Sequence, residues 1–195
     1  MKRVMNLFLI ACAILFSISV KASDVMSVKI ENSSTLNVSL SNISKGQKLY
    51  LKNYSGKILF DITLEAMPLY RKYFNFNTVK DGVYFVETET EFDVKITPVV
   101  KNKKGIALIN QSVVTVFKPK VLVENALVRV MLTRSEKSPL QVSIYDREGV
   151  MLLNENVEED KAIFERAYNF SDVPAGKYFI YFDLKDRKFV KEINI

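Results

Sequence analysis

Beyond its first residues the chain is written in short runs of alternating apolar and polar residues. Leu36-Asn37-Val38-Ser39-Leu40 is the plainest of them, and its period of two predicts a strand with one buried face. Phe74 and Phe76 point to one side of another such run, with Tyr73 and Asn75 on the other. Phe92, Val94 and Ile96 alternate again after an acidic stretch, and Pro98 suits an edge position or the end of that strand. Tyr178-Phe179-Ile180-Tyr181-Phe182 places aromatic rings on both faces of one strand. One face fills a core. The other, Phe179 and Tyr181, is a possible binding platform for a sugar ring or a partner, or else packs against a neighbouring element. No stretch keeps a helical period over three turns, and the acidic segment from Glu155 to Asp160 reads as a hairpin tip or loop.

The runs repeat. Leu49-Tyr50-Leu51-Lys52-Asn53-Tyr54-Ser55-Gly56 parallels Val142-Ser143-Ile144-Tyr145-Asp146-Arg147-Glu148-Gly149. Tyr73 to Phe85 parallels Ala167 to Phe179, and Leu36, Val38 and Leu40 match Val128, Val130 and Leu132. A shift of register of about one or two residues across three segments indicates duplication. Asn53-Tyr54-Ser55-Gly56 and Asp146-Arg147-Glu148-Gly149 are turn sequences between apolar runs, so each is expected to join a hairpin, with its glycine at positive φ.

About seven strands per half, with a turn every eight to twelve residues, predict an all-β chain. The expected architecture is two tandem small immunoglobulin-like antiparallel β-sandwich domains after a cleaved signal peptide. The division is set at residues 1–22 for the signal, 23–103 for the first sandwich and 104–195 for the second. The stretch from Val99 to Lys120 reads as a hairpin that closes the first half and leads into the second near Pro119, a coupling without a flexible linker.

The first residues bear on compartment. Lys2 and Arg3 precede an apolar run from Val4 to Val20, and Val20-Lys21-Ala22 fits a peptidase site with cleavage between Ala22 and Ser23. Leu9-Ile10-Ala11-Cys12 also matches a lipoprotein box, but the apolar run before Cys12 is short for one. Export to the periplasm, cell surface or medium is therefore expected, with no membrane span after cleavage. Cys12 is the only cysteine, so the mature chain would hold no disulfide. There is no histidine, which removes the commonest general base and metal ligand, and with them serine–histidine and cysteine–histidine chemistry. Lys2, Arg3 and Lys21 supply three of the six net positive charges, leaving +3 of the +6. So small an excess on an exported chain argues against a nucleic-acid partner.

The second half carries a resemblance. Tyr145-Asp146 with Gly149, then Pro174-Ala175-Gly176 with Tyr178, then Lys191 in the last strand, occur in the order found in the C-terminal sorting domain of type IX secretion cargo. Residues from about 125 to 195 resemble that family, with the first half a diverged copy of the same plan. The resemblance implies a seven-stranded sandwich, read by a secretion apparatus and removed at the cell surface.

Candidate chemistry is thin. Asp146 with Asp172, or Glu158 with Asp160, supplies carboxylates for acid–base work, but nothing in the spacing sets either pair across a cleft. Glu87, Glu89 and Glu91 share one strand face; they lack the looped spacing of a calcium site and read as a solvated stripe. No catalytic residue, metal site or cofactor is expected. The reading is an exported non-catalytic module for binding or spacing, with a protein or cell-envelope partner; the alternative is a type IX cargo that engages the secretion machinery.

Overall fold

The computed structural model describes residues 25–109, 113–134, 139–158, 161–184 and 187–195. Cys12, the expected cleavage site at Ala22 and Ser23, and Asp160 lie outside them. Every regular element among the described residues is a strand. In the first half these are β1 (Val25–Asn32), β2 (Thr35–Ile43), β3 (Lys48–Asn53), β4 (Ile58–Thr63), β5 (Met67–Asn75), β6 (Gly82–Glu89), β7 (Asp93–Asn102), β8 (Gly105–Leu108) and β9 (Val114–Phe117). The second half holds β10 (Lys120–Glu124), β11 (Leu127–Thr133), β12 (Leu140–Asp146), β13 (Met151–Val157), β14 (Ile163–Asn169), β15 (Lys177–Leu184) and β16 (Arg187–Asn194).

Two antiparallel sheets form in each half. The first half pairs β1-β2-β5 in one and β4-β3-β6-β7 in the other, and the second half repeats this as β10-β11-β14 and β13-β12-β15-β16. Strand for strand this is one Greek-key sandwich written twice, an immunoglobulin-like plan with its fourth strand on the larger sheet. Alternation fills the space between the sheets. Leu36, Val38, Leu40 and Phe74 of one sheet meet Leu49, Leu51, Val86 and Val99 of the other. Val128, Val130, Leu132 and Phe164 meet Val142, Ile144, Ile180 and Phe182 in the same way. Each fully buried large side chain contributes about 1.5–3 kcal/mol relative to exposure, and these two clusters are where the halves gain their stability.

The duplication extends to single hydrogen bonds. At the tip of the β3–β4 hairpin the Asn53 side chain accepts the Lys57 N–H (2.9 Å), and Gly56 has φ +81°. At the β12–β13 tip Asp146 accepts the Val150 N–H (2.7 Å), and Gly149 has φ +83°. A residue with a Cβ is strained at that φ, which is why glycine closes both turns. Near the start of the sixth strand of each copy, a tyrosine hydroxyl donates to the carbonyl four residues upstream, Tyr84 to Lys80 and Tyr178 to Pro174. Each of these tyrosines also packs edge-on against a buried phenylalanine, Phe76 and Phe170 respectively. These are tyrosine corners, which lock the crossover between the sheets.

Three expectations are corrected. The division at 103/104 falls inside the β7–β8 hairpin, where Asn102 pairs with Gly105. β8 runs along the second part of β7 and β9 along its start, so these two strands enlarge the β4-β3-β6-β7 sheet and give that half nine strands rather than seven. Gly105 packs so closely on the β1–β2 turn that a Cβ there would lie 2.6 Å from the Ser33 carbonyl oxygen. Pro98 sits in the middle of β7 and does not end it. Its carbonyl accepts the Ile109 N–H, on the side away from β6, so the missing proline N–H falls where β7 passes from β9 to β8 and removes no β6–β7 bond. Glu155, expected in a loop, lies within β13 and is held by Arg166 (2.9 Å) and the Tyr168 hydroxyl (3.0 Å) from the facing sheet. Burial first, and then the Glu155 charge, push the Tyr168 phenol well above its ordinary range.

Candidate functional site

Strand period divides the rings of β15. Tyr178, Ile180 and Phe182 are buried in the second core, and Phe179 and Tyr181 turn outward on the larger sheet. Across the ladder Tyr145 of β12 stands opposite Phe179, and its ring meets Tyr181 edge-on at 5.3 Å and 81°. Tyr181, 38% exposed, is in turn opposite Val190 of β16, 49% exposed. These rings floor a shallow open groove of about 490 Å³. Its polar walls include Gln141, Ser143, Asp183 and Lys188. Asp183 and Lys188 form an ion pair at 2.6 Å, and the hydrogen bond and charge of Asp183 raise the Lys188 ammonium above its ordinary value. An apolar floor with hydrogen-bonding walls suits a ligand that is flat and apolar on one side and polar at its rim.

The corresponding face of the first half is closed. By the sequence repeat and the shared topology, Lys52 stands where Tyr145 does, Phe85 where Phe179 does and Glu87 where Tyr181 does. The ring pair of the second half is replaced by an ion pair, Lys52 to Glu87 at 2.7 Å. Arg187, from the start of β16, adds a second contact to the other Glu87 oxygen at 2.8 Å. Glu87 is thereby only 5% exposed. The expected solvated glutamate stripe is thus corrected: its first member is buried between Lys52 and the Arg187 side chain. Glu91 lies beyond the end of β6.

Glu89, the next carboxylate on that face, binds Lys118 of the connecting segment at 2.6 Å. Burial raises the Glu89 pKa, but the Lys118 hydrogen bond and charge, with Lys48 and Lys52, outweigh it and hold the carboxyl below its ordinary value. The Lys118 N–H also donates to the Phe92 carbonyl (2.7 Å), so the connection is fastened to the β6–β7 turn.

The residues that carried the family resemblance fall into two groups. Asp146, Gly149, Pro174 and Tyr178 make the turn and the corner described above. Ala175 and Gly176 lead into β15, with the Gly176 N–H and C=O both bonded to Ile195 (3.0 Å each). Tyr145 alone of the motif lines the aromatic floor, while Lys191 lies half-buried on β16 opposite Ile180. Asp146 is committed to its turn, and Asp172 lies exposed in the β14–β15 connection. Glu158 is exposed beyond β13. Sequence reasoning missed Tyr145 as part of the platform, although its place in the repeat one step from Asp146 put it on the same face. It also missed Arg187, for which a partner 100 residues away leaves no local signal.

No protein-family model matches this chain, and no curated protein matches its sequence. Among solved structures, a tetra-tandem repeat from the extending region of a large adhesion protein aligns at 13% identity and TM-score 0.31, over 89% of this chain and 49% of that one. The BSP domain of a biofilm-associated protein aligns at 13% identity and TM-score 0.29, over 87% of this chain and 29% of that one. The human OSCAR ligand-binding domain aligns at 9% identity and TM-score 0.27, over 91% of this chain and all of that one. This chain therefore spans about half or less of the first two of these structures, and likenesses at these scores carry no argument about what it does.

Proposed function

We propose that this chain is an exported, non-catalytic module of two β-sandwiches, in which the first half holds the second in place and the second binds through its aromatic groove. The observation that carries the reading is the contrast between equivalent faces. Where the first half has Lys52 and Glu87 locked under Arg187, the second has Tyr145, Phe179 and Tyr181 left open. Solvent-facing rings on a rigid strand floor cost little conformational entropy to use, and their faces stack on the apolar side of a sugar ring while the groove walls reach its hydroxyls.

The test uses a glycan array probed with the intact chain, with Tyr181→Ala and, as a control on the other half, Tyr73→Ala. Saccharide binding lost in the first variant and kept in the second supports the groove. Binding equal in both, or none at all, removes the saccharide reading. The export part is tested separately by intact-mass analysis of the native protein in periplasm, outer membrane and medium. A species starting at Ser23 supports it, and one starting at Met1 in the cytoplasm sinks it.

The type IX sorting reading draws no comparable support. Its turn and its tyrosine corner recur in the first half as Asn53–Gly56 and Lys80–Tyr84, where they serve the sandwich. Recovery of a mature species ending before the second half would restore it.

A further inference from the structure

The two halves differ at one sheet edge. In the first, the outer edge of β7 is covered by β8 and β9. In the second, the equivalent strand β16 ends its sheet, and among the described residues nothing pairs with its outer side. β10 passes near β16 around the rim of the sandwich without joining it.

The register shows which groups the open edge presents. Gly176 and Ile195 exchange both backbone hydrogen bonds, so the residues bonded toward β15 are Ile193, Lys191, Phe189 and Arg187. The N–H and C=O groups of Lys188, Val190, Glu192 and Asn194 therefore point outward. The side chains of Lys188, Val190 and Glu192 share the groove face, opposite Asp183, Tyr181 and Phe179.

That sequence is complementary to itself. Laid antiparallel on a second copy with Val190 opposite Val190, Lys188 of each strand meets Glu192 of the other, and the outward backbone groups of Lys188, Val190 and Glu192 come into bonding register. Each charge already has a partner across β15, Lys188 with Asp183 (2.6 Å) and Glu192 with Lys177 (2.7 Å). The pairing would extend these into alternating ladders of four charges. It would also make the apolar stripe Tyr145–Tyr181–Val190, which runs to the open edge, continuous across the seam. We infer that β16 is the surface through which two copies of this chain associate, strand against strand about a two-fold axis, joining two four-stranded sheets into one. The pairing does not require the groove to bind a saccharide.

Sedimentation equilibrium of the chain as recovered from cells, at up to about 100 µM, is expected to show a dimer. Val190→Pro removes the central outward N–H without touching a β15–β16 bond, and is expected to be monomeric. Lys188→Glu and Glu192→Lys each oppose like charges at the seam and are expected to lose the dimer alone. Mixed together they regain it, because each then meets the opposite charge in the other, a rescue that misfolding cannot imitate. A wild-type monomer at this concentration overturns the inference. So does a dimer that survives Val190→Pro, or singly substituted chains that fail to associate on mixing.

Discussion

Thr88 and Thr97 place hydroxyls inside the first sandwich, each almost wholly buried and without a hydrogen-bond partner among the described residues. They face inward on neighbouring strands, Thr88 in line with Val86 on β6 and Thr97 directly opposite Val86 on β7. The position in the second half that corresponds to Thr88 is Phe182, which is fully buried and apolar. A buried hydroxyl with no partner has lost its water bonds for nothing in return, so replacing it with an apolar group of the same shape removes a cost. Thr88→Val is therefore expected to stabilise the first half by about 1 kcal/mol. An increased urea midpoint with unchanged slope checks this, and a decreased one would mean that the hydroxyl is bonded. Tyr178 shows the opposite balance. Its hydroxyl is satisfied by the Pro174 carbonyl, so its ring fills the core at no polar cost.

At the scale of elements, the residues that decide the assembly are not those that alternate most cleanly. Period two in the sequence was enough to assign β2, β11 and β15 to strands and to sort Tyr178 from Phe179, because alternation follows directly from having one buried face. The repeat was legible for the same reason, since turn glycines and corner tyrosines are local requirements. The hairpin that closes the first half was legible around its turn at Lys103 to Gly105, but β9 and the edge that both strands cover were not, because nothing in Gly105 to Phe117 says which edge of which sheet it joins. The burial of Glu87 was hidden more completely. A glutamate alternating with threonines reads as solvated until an arginine from the other half covers it. That joint makes a distant effect testable. Arg187→Ala leaves the buried Glu87 with Lys52 as its remaining cation and is expected to cost about 1–3 kcal/mol. The cost should appear as faster amide exchange in β3 and β6 of the first half, although the substituted residue belongs to the second. Exchange confined to β15 and β16 would mean that the two halves are not coupled through this carboxylate.

For the molecule as a whole, two separate apolar clusters and no shared sheet among the described residues make the chain two folding units, and the placement of β8 and β9 says where to cut. A piece ending at residue 103 would strip both neighbours from β7. It would expose the outer side of Val94, which is 2% exposed and belongs to neither cluster, and remove Ile106 from the first core. A piece ending at Phe117 keeps all nine strands and loses the Lys118 tether to Glu89 and Phe92 and the Arg187 contact to Glu87. The expectation is that residues 25–117 form a soluble sandwich with a cooperative urea transition, whereas residues 25–103 do not, because an uncovered β7 presents a long edge bearing apolar side chains. Residues 118–195 should fold independently of either, with their own transition, since their seven strands complete both sheets without help from the first half. If the 25–103 piece proved as stable as the 25–117 piece, β8 and β9 would be a cover laid over a finished sandwich. If neither half folded without the other, the Glu87 joint would be part of a single core rather than a coupling between two.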